Sequence, residues 1–449
     1  MSEVAQAVGG ARAAFPGWRG LGFEARAAIL RRFRDLVAPG VDELARLIAT
    51  EVGKALWDAT GEAKLVPAKV DVTLGEGMKA AATVDAGGGA RATFHPRGVM
   101  AVLGPFNFPA HLPNGHIVPA LAAGNTVIFK PSELAPETGA WLGARLREAG
   151  VPAGVFEVVQ GGAETGRELA VHQDVDGVLF TGSYAAGRAL KEATLDQPWK
   201  LLALEMGGKN AVVVLDDADL ELAVAETALS ICATTGQRCS CTSRVFVHES
   251  RIDAFTDRLS AVLHGVKIGP PLEEGVFMGP LVSQKAWEKV QEFRTDEAIG
   301  DGERVLLVDP GRPAPFVGPG LVRYATSEQR APHQREEIFG PEAALHPIAD
   351  LDEAIAAVND SDYGLVASVF TRERARYEYA IGRVRTGLLN WNKGTIGASG
   401  KLPFGGLGKS GNDRPAGIAA TVYCTVPQSH LESEAGFDAG TLPPGMPRP

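Results

Sequence analysis

Short apolar runs that alternate with helix-like stretches are the pattern that most restricts the fold of this chain. Such runs occur at 99–104, 125–130, 155–160 and 177–182, and stretches such as 138–149 separate them. A strand whose residues are nearly all apolar is buried on both faces, and such strands belong to parallel sheets covered by crossover helices. The pattern therefore predicts an α/β fold with a parallel sheet.

A second α/β stretch begins near Gly207. It has strand-like runs at 210–215, 244–248 and 364–370, and its apolar spacing predicts a helix from Asp217 to about Thr234. Single hydrophobic cores stop growing near ~250–300 residues. A chain of 449 residues is therefore expected to form at least two large domains.

The two ends of the chain have different patterns. Apolar residues at helical spacing predict helices at 22–38 and Asp42–Val52. Three consecutive glycines and local alternation predict a hairpin within 82–97. The segment after Cys424 is rich in Pro and Gly, which predicts irregular structure.

Charge and cysteine content argue against several classes of protein. The net charge is -10 and no block of Lys and Arg stands out, so no nucleic-acid partner is expected. The chain has neither a basic start followed by an apolar run nor about 18 uninterrupted apolar residues, so we expect no secretory signal and no membrane span. Four cysteines are too few for a disulfide scaffold of this length, which favours reduced thiols in the cytoplasm.

Cys239 is the candidate nucleophile. It lies in the segment TTGQRCSC, where Gly, Thr and Ser suit a tight turn that exposes a thiol. Taken alone, this residue is better explained as a buried structural cysteine. A metal site with Cys241 is not expected, because one Cys-x-Cys without a second pair or a nearby His is poor zinc spacing.

Glu205 and Asn107 each follow a predicted strand. Glu205, in LEMGGKN, ends an apolar run before two glycines, where a carboxylate can act as a general base. Asn107, in GPFNFP, carries an amide that can donate to a developing oxyanion. Taken singly, a solvated turn residue and a capping Asn explain them as well.

Two further strand ends carry groups that suit a nucleotide. Lys130 and Glu133 lie in FKPSE, and the stretch from Gly182 to Gly187 opens a predicted helix whose free N–H groups suit a pyrophosphate. The GxGxxG fingerprint is absent, which argues against an ordinary Rossmann enzyme.

Seven segments occur in a fixed order along the chain: GPFNFP, GNTVIFKPSE, FTGSYAAG, LEMGGKN, GQRCS, EEIFGP and PFGGLGKSG. Because these segments occur in this order, the chain resembles the aldehyde dehydrogenase superfamily. The resemblance extends from about residue 11 to residue 430. The segments HLPNGH, TTGQRCSCTSR, GLLNWNKGTIGAS and SGNDRP are similar to the branch that oxidises N-succinylglutamate 5-semialdehyde in arginine breakdown. Lys209, in EMGGKN, departs from the Asn expected in that branch.

The resemblance implies a mechanism. The Cys239 thiolate adds to an aldehyde, the Asn107 amide and the Cys239 backbone N–H hold the alkoxide, and hydride leaves for NAD. Glu205 then activates the water that hydrolyses the thioester, so the product is a free acid. The resemblance also implies these cofactor-binding residues, in chain order: Lys130, Glu133, Gly182, Ser183, Gly187, Met206, Glu337 and Phe339.

Finer roles follow from the same resemblance. Lys130 and Glu133 are expected at the adenine ribose, where a carboxylate would repel a 2′-phosphate and so favour NAD over NADP. A substrate with several carboxylates is expected to bind in a cationic pocket. The candidate residues for this pocket are His111, His116 and Arg414. A packing or capping role is the competing interpretation of all three.

The implied architecture is an aldehyde dehydrogenase-like fold with three parts. A Rossmann-like NAD-binding domain comprises 1–79, 98–206 and 400–416, and a catalytic domain comprises 207–399. A small β-rich oligomerisation arm and tail comprise 80–97 and 417–449. Because this arm joins subunits in the family, we expect a homodimer or a dimer of dimers.

Three alternatives remain open to test. The same machinery can serve another semialdehyde or a broad range of aldehydes. A non-catalytic binding or structural protein can keep this fold, since fold alone does not prove activity. A cysteine hydrolase would need a histidine base, and no His lies near Cys239 in the sequence.

Overall fold

The computed structural model describes residues 2–412, 416–433, 436 and 442–447. The described α-helices are α1 (Glu3–Gly20), α2 (Phe23–Val37), α3 (Val41–Val52), α4 (Leu56–Val72), α5 (His111–Ala123), α6 (Pro136–Glu148), α7 (Ala163–Val171), α8 (Tyr184–Ala193), α9 (Leu220–Cys232), α10 (Ile252–His264), α11 (Gln284–Glu292), α12 (Asp296–Ile299), α13 (Pro332–Arg335), α14 (Leu351–Asn359), α15 (Arg374–Ala380) and α16 (Ala420–Tyr423). The described strands are β1 (Val84–Gly87), β2 (Ala90–Pro96), β3 (Val99–Leu103), β4 (Thr126–Lys130), β5 (Phe156–Val158), β6 (Gly177–Thr181), β7 (Leu201–Glu205), β8 (Asn210–Val214), β9 (Thr242–His248), β10 (Glu303–Leu307), β11 (Gly320–Arg323), β12 (Glu342–Ile348), β13 (Tyr363–Gly364), β14 (Val366–Phe370), β15 (Leu388–Trp391), β16 (Pro403–Phe404), β17 (Leu407–Gly408), β18 (Ala416–Gly417) and β19 (Thr425–Leu431).

The first large sheet has five parallel strands in the order β5-β4-β3-β6-β7. Every residue of β3, β4 and β6 is buried, because α-helices cover both faces. The four apolar runs of the first half of the chain form four of these strands, which confirms the predicted parallel α/β fold. Since all five strands point the same way, their carboxyl ends meet at one edge of the sheet.

Helices from the N-terminal segment pack on this sheet. The predicted helices correspond to α2 and α3, and α3 ends at Gly53, whose left-handed φ of 75° suits glycine. The adjoining α4 was not predicted, because its buried face carries Asp58, Glu62 and Lys69 and looks polar in the sequence. Two of these side chains, Asp58 and Glu62, contact the loops of the candidate site.

The second large sheet has seven strands in the order β10-β11-β12-β9-β8-β14-β15. All pairs are parallel except β10 with β11. The predicted helix from Asp217 corresponds to α9, which ends two residues early at Cys232 because Thr234 adopts a left-handed conformation. The two sheets lie in the segments assigned to the cofactor and catalytic domains, although the domain boundaries stay a prediction.

A third sheet has three antiparallel strands in the order β1-β2-β19. Strands β1 and β2 form the predicted hairpin. The prediction of irregular structure after Cys424 was wrong for Thr425–Leu431, because pairing with β2, distant in sequence, holds this Pro-containing segment as β19. Within the described part of the chain, no helix is both long and apolar enough to cross a bilayer.

Candidate active site

A cavity of about 870 Å³ opens at the carboxyl edge of the five-stranded sheet. Ligands of open parallel sheets bind at this edge, where the strand order reverses, and here the reversal lies beside β3. The candidate residues that line the cavity are Asn107, Lys130, Glu133, Gly182, Ser183, Met206, Cys239, Glu337 and Phe339. Glu205 and Gly187 are not among the lining residues.

Cys239 lies in the loop between α9 and β9, where the backbone turns through consecutive left-handed residues. Thr234 and Thr235 have φ of 52° and 56°, and Gly236 has φ of 71°. For β-branched residues this conformation costs about 1–3 kcal/mol each, so the surrounding packing must hold it. A Cβ on Gly236 would lie 2.1 Å from the carbonyl carbon of Gly340, so a larger residue would displace the loop.

The side chain of Asn210 ties this loop to the seven-stranded sheet. Its Nδ2 donates to the carbonyl oxygens of Cys239 at 2.7 Å and Cys241 at 2.9 Å, and its Oδ1 accepts from the N–H of Val366 at 3.1 Å. Asn210 is buried at the start of β8. Sequence reasoning missed it, although it ends the LEMGGKN segment and its amide can bridge two chain segments.

The amide of Asn107 contacts the same loop. Its Nδ2 donates to the carbonyl oxygen of Gln237 at 2.8 Å, two residues before Cys239. A side-chain amide has two N–H donors, and Gln237 accepts from one of them. Asn107 therefore lies in the cavity wall beside Cys239, with a second N–H available for an oxyanion.

Glu205 ends β7 and its side chain is buried, with the residue only 1% exposed. Its carbonyl oxygen accepts from the N–H of Gly182 at 3.0 Å. Burial raises the pKa of the Cys239 thiol well above its ordinary value, and the nearby carboxylates of Glu205 and Glu337 raise it further. Glu205 therefore lies near Cys239, and the resting thiol is protonated at neutral pH.

The face of α4 supports the loop that follows Asn107. Lys54 and Glu62 form a fully buried ion pair at 2.6 Å. The other oxygen of Glu62 accepts from the backbone N–H groups of Ala110 at 2.9 Å and His111 at 3.0 Å, at the start of α5. A carboxylate suits a helix N-terminus because the free N–H groups there carry partial positive charge. Glu62 thereby holds the loop between β3 and α5.

A second ion pair from α4 reaches the nucleophile loop. Asp58 pairs at 2.7 Å with Arg238, which directly precedes Cys239. The ring of Phe108 lies between two cations, with the Lys54 ammonium 3.6 Å and the Arg238 guanidinium 5.0 Å from its centre. Phe108 directly follows Asn107, so this cluster joins the two loops. Sequence reasoning missed it, since 180 residues separate Asp58 from Arg238.

Lys130 and Glu133 lie where β4 ends. The Lys130 ammonium donates to the carbonyl oxygens of Pro131 at 2.7 Å and Gly161 at 2.8 Å, which fixes its position. Its distance to the Glu133 carboxylate is 3.8 Å, and that carboxylate is 61% exposed. An ammonium and a carboxylate side by side can donate to and accept from the two hydroxyls of a ribose.

The N-terminus of α8 faces the same cavity. Ser183 caps the helix by accepting from the N–H of Ala186 at 3.2 Å. The first N–H groups of a helix lack intrahelical partners and attract phosphate. Gly187 has another role, because its Cβ would lie 2.5 Å from the sulfur of Met206. Gly187 therefore lets α8 approach the strand end and does not face the cavity.

Glu337 and Phe339 close the opposite side of the cavity. An oxygen of Glu337 accepts from the N–H of Gly208 at 2.9 Å, and burial raises the pKa of this carboxyl. Phe339 has a φ of 60°, which is strained for an aromatic residue. Its ring packs edge to face with that of Phe106, and the two ring centres are 5.9 Å apart. Strain of this kind persists where packing over-determines the backbone, as it does at functional sites.

These groups fit a dinucleotide. The cavity volume lies in the range of about 300–1,000 Å³ that ligand sites occupy. The ion pair of Lys130 and Glu133, the N-terminus of α8 and the Glu337 carboxylate all line this cavity. The donor set therefore suits a dinucleotide in the cavity that Cys239 also lines.

The histidines proposed for substrate binding have different surroundings. His116 is buried, with its ring nitrogens near the hydroxyls of Tyr423 at 2.6 Å and Thr181 at 3.4 Å, and burial lowers its pKa to about 3. His111 is half-buried at the start of α5, close to the candidate site. Arg414 lies outside the described residues.

Comparison with known proteins identifies the family of the chain. The model of the aldehyde dehydrogenase family matches residues 1–429. The N-succinylglutamate 5-semialdehyde dehydrogenase of Caulobacter sp. (strain K31) is 43% identical over 439 residues, which span 96% of this chain and 89% of that protein. The enzyme of the same name from Chromobacterium violaceum is 41% identical over 455 residues, spanning 99% and 92%.

A solved structure extends the likeness to the fold. PnpE, known from Pseudomonas sp. WBC-3, has been solved in complex with nicotinamide adenine dinucleotide. That structure aligns with a TM-score of 0.90 at 32% identity, over 96% of this chain and 91% of that one. The predicted family and fold are confirmed: the chain belongs to the aldehyde dehydrogenase family and is an oxidoreductase that acts on aldehydes.

Proposed function

We propose that this chain oxidises N-succinyl-L-glutamate 5-semialdehyde to the carboxylate in arginine breakdown, with NAD and through a thioester on Cys239. One observation carries the proposal: a thiol and an amide line a cavity that fits a dinucleotide, within electrostatic reach of a buried carboxylate. Cys239 and Asn107 line that cavity, and the Glu205 carboxylate acts on the thiol pKa. The relatives of 41–43% identity bear the name of this activity.

The thiol proton is the first obstacle to catalysis. Because the pKa of Cys239 is raised, attack on the aldehyde needs a base at hand, and the nearby Glu205 carboxylate can accept the proton. The thiolate then forms a C–S bond to the aldehyde carbon. The free N–H of Asn107 and the backbone N–H of Cys239 donate to the alkoxide that results.

Hydride loss and hydrolysis complete the reaction. Bound NAD supplies the chemistry of hydride acceptance, and Glu337, Phe339 and the start of α8 position it. Cys239 then holds the acyl group as a thioester. After Glu205 has passed the thiol proton to solvent, it takes a proton from water, the hydroxide attacks the acyl carbon, and the C–S bond breaks to release the acid and the thiolate.

The preference for NAD over NADP is part of the proposal. Glu133 lies 3.8 Å from Lys130, at the place that suits the adenine ribose. A 2′-phosphate on that ribose would meet the Glu133 carboxylate at close range, and like charges repel. The neighbouring Lys130 donates to two backbone carbonyls, which limits its ability to follow a phosphate.

We also propose a homodimer or a dimer of dimers in the cytoplasm. The three-stranded sheet exposes its edge strands, and Leu431 of β19 is 89% exposed while Val84 of β1 is 54% exposed. Exposed edges and apolar side chains favour pairing with a second copy. The four cysteines of the chain are free thiols, and a thiol nucleophile is kept reduced in the cytoplasm.

A substrate panel tests the proposed function. The purified chain is expected to oxidise N-succinylglutamate 5-semialdehyde with a kcat/KM at least about tenfold above that of pentanal, because charge-assisted contacts to carboxylates contribute about 1.5–3 kcal/mol. Initial rates of NADH formation measure this, and the same panel with NADP is expected to be slower. Equal or better turnover of pentanal would end the substrate assignment while leaving aldehyde oxidation intact.

Removal of the amide at Asn107 tests the oxyanion role. Asn107→Ala is expected to lower kcat by about 10²–10³, or about 2.7–4 kcal/mol, because one donor to the developing charge is lost. Asn359→Ala is the matched control, since that amide donates to the Arg383 carbonyl at 2.8 Å outside the lining of the cavity. Stopped-flow rates of NADH formation report the step, and a loss below about threefold in Asn107→Ala would contradict the assignment.

A further inference from the structure

Lys69 is a buried cation without an acidic partner. It lies on α4, is 6% exposed, and its ammonium donates to the carbonyl oxygen of Gly417 at 2.8 Å. Among the described residues it forms no ion pair, in contrast to Lys54, which pairs with Glu62 on the same helix. Burial lowers the pKa of Lys69 to about 8, so it stays largely charged at neutral pH. A buried charge without a counter-ion is unfavourable, and an anionic ligand would relieve this.

His111 packs against the helix that carries Lys69, because its backbone N–H donates to Glu62 of α4 at 3.0 Å. The charges of Lys69 and Lys54 add to burial in lowering the pKa of His111 to about 4, so the imidazole is neutral and close to both cations. Its Nδ1 is buried and makes no hydrogen bond within the described residues. A neutral imidazole N–H is a donor that a carboxylate can accept from.

Open space adjoins His111 on α5. Gly115 lies one helical turn further on, on the same face as His111, and it is half-buried. A Cβ on Gly115 would have no atom within 4 Å. Leu112, on the next row of the helix, lines the cavity that contains Cys239. This part of α5 therefore contacts the cavity through Leu112 and leaves space for added atoms at Gly115.

We propose that Lys69 and His111 form a carboxylate subsite, and that Gly115 leaves room for the chain that carries this carboxylate away from the aldehyde. The inference rests on the proposed function and names the residues that recognise its substrate. The ammonium supplies charge and the imidazole supplies a directed donor, the combination that binds a carboxylate. The paired cations Lys54 and Arg238 already have the carboxylates of α4 as partners.

Kinetics of Lys69 variants test the subsite. The preference of the enzyme is measured as kcat/KM for N-succinylglutamate 5-semialdehyde divided by kcat/KM for pentanal. Lys69→Met is expected to lower this ratio by about 10–100-fold, because a charge-assisted contact is lost. The change is expected in the KM for the carboxylated aldehyde. Lys69→Arg keeps the cation and is expected to restore most of the ratio. Lys64→Met, at an exposed lysine of the same helix, is the matched control. Thermal unfolding of each variant establishes that it is folded.

Two measurements without turnover complete the test. Binding of N-succinylglutamate by calorimetry is expected to weaken by about the same factor in Lys69→Met. Gly115→Leu is expected to weaken binding of the same ligand in the same assay, because the added side chain would fill the space at Gly115. An unchanged ratio and unchanged binding in Lys69→Met would overturn the subsite. If the unmodified chain shows no preference for the carboxylated aldehyde, both the subsite and the proposed substrate are wrong. If the unmodified chain oxidises no aldehyde at all, the proposed enzymatic activity is wrong.

Discussion

Cys239→Ser is expected to lower kcat by at least about 10⁴-fold, the largest effect of any single change considered, because no other group can form the thioester. A serine hydroxyl in a buried site is far less acidic than a thiol, and the carboxylates of Glu205 and Glu337 already oppose ionisation there. NADH formation from N-succinylglutamate 5-semialdehyde measures the loss. The cofactor-binding cavity keeps its shape, so NAD affinity is expected to be unchanged.

Cys241→Ser is the matched control for this experiment. Cys241 is buried two residues away, its sulfur donates to the carbonyl oxygen of Ala233 at 3.5 Å, and burial raises its pKa to about 12. A serine can keep that hydrogen bond, so turnover within a few-fold of the unmodified chain is expected. Mass mapping after brief alkylation should label Cys239 in preference to Cys241. Robust turnover by Cys239→Ser, or loss of activity only in Cys241→Ser, would contradict the mechanism.

The strands and the order of the motifs could be predicted because both leave local signals. A strand buried on two faces must be apolar along its length, as β3, β4 and β6 are. The motif residues lie close together because the carboxyl ends of parallel strands meet at one edge of the sheet. Residues that follow different strands in the sequence are therefore neighbours in the fold. Residues as far apart as Asn107 and Cys239 thereby line one cavity.

The supporting contacts could not be predicted because their partners are distant in sequence or oppose local preference. The charged face of α4 looks solvent-exposed until Asp58 meets Arg238, and β19 looks irregular until it pairs with β2. Thr234 and Thr235 adopt left-handed φ that β-branched residues disfavour, since tertiary packing outweighs local propensity there. Such contacts determine how accurately the reacting groups are placed, and the motifs determine which groups they are.

Glu205→Gln is expected to separate the two halves of the reaction. If Glu205 activates the hydrolytic water, hydrolysis slows most in this variant and kcat falls by about 10²–10⁴. Acylation still proceeds through the thiolate, because removal of the Glu205 charge lowers the pKa of Cys239. Rapid mixing with NAD and aldehyde should then show a burst of about one NADH per active site before a slow steady rate. Intact-protein mass spectrometry should show the acyl group on Cys239. A steady rate close to that of the unmodified chain, without a burst, would exclude Glu205 as the base for hydrolysis.

The reactivity of the Cys239 thiol is a second readout for Glu205→Gln, and it is expected to change in the opposite direction to turnover. The Glu205 carboxylate raises the pKa of Cys239, so its removal lowers that pKa toward the ordinary value and increases the thiolate fraction at neutral pH. Alkylation of Cys239 by iodoacetamide is therefore expected to become faster in the variant while turnover becomes slower, with the alkylation profile shifted to lower pH. A residue that only supports the fold would slow both reactions together. Opposite changes in the two rates would show that the carboxylate acts on the sulfur and would assign to it the activation of water after acylation.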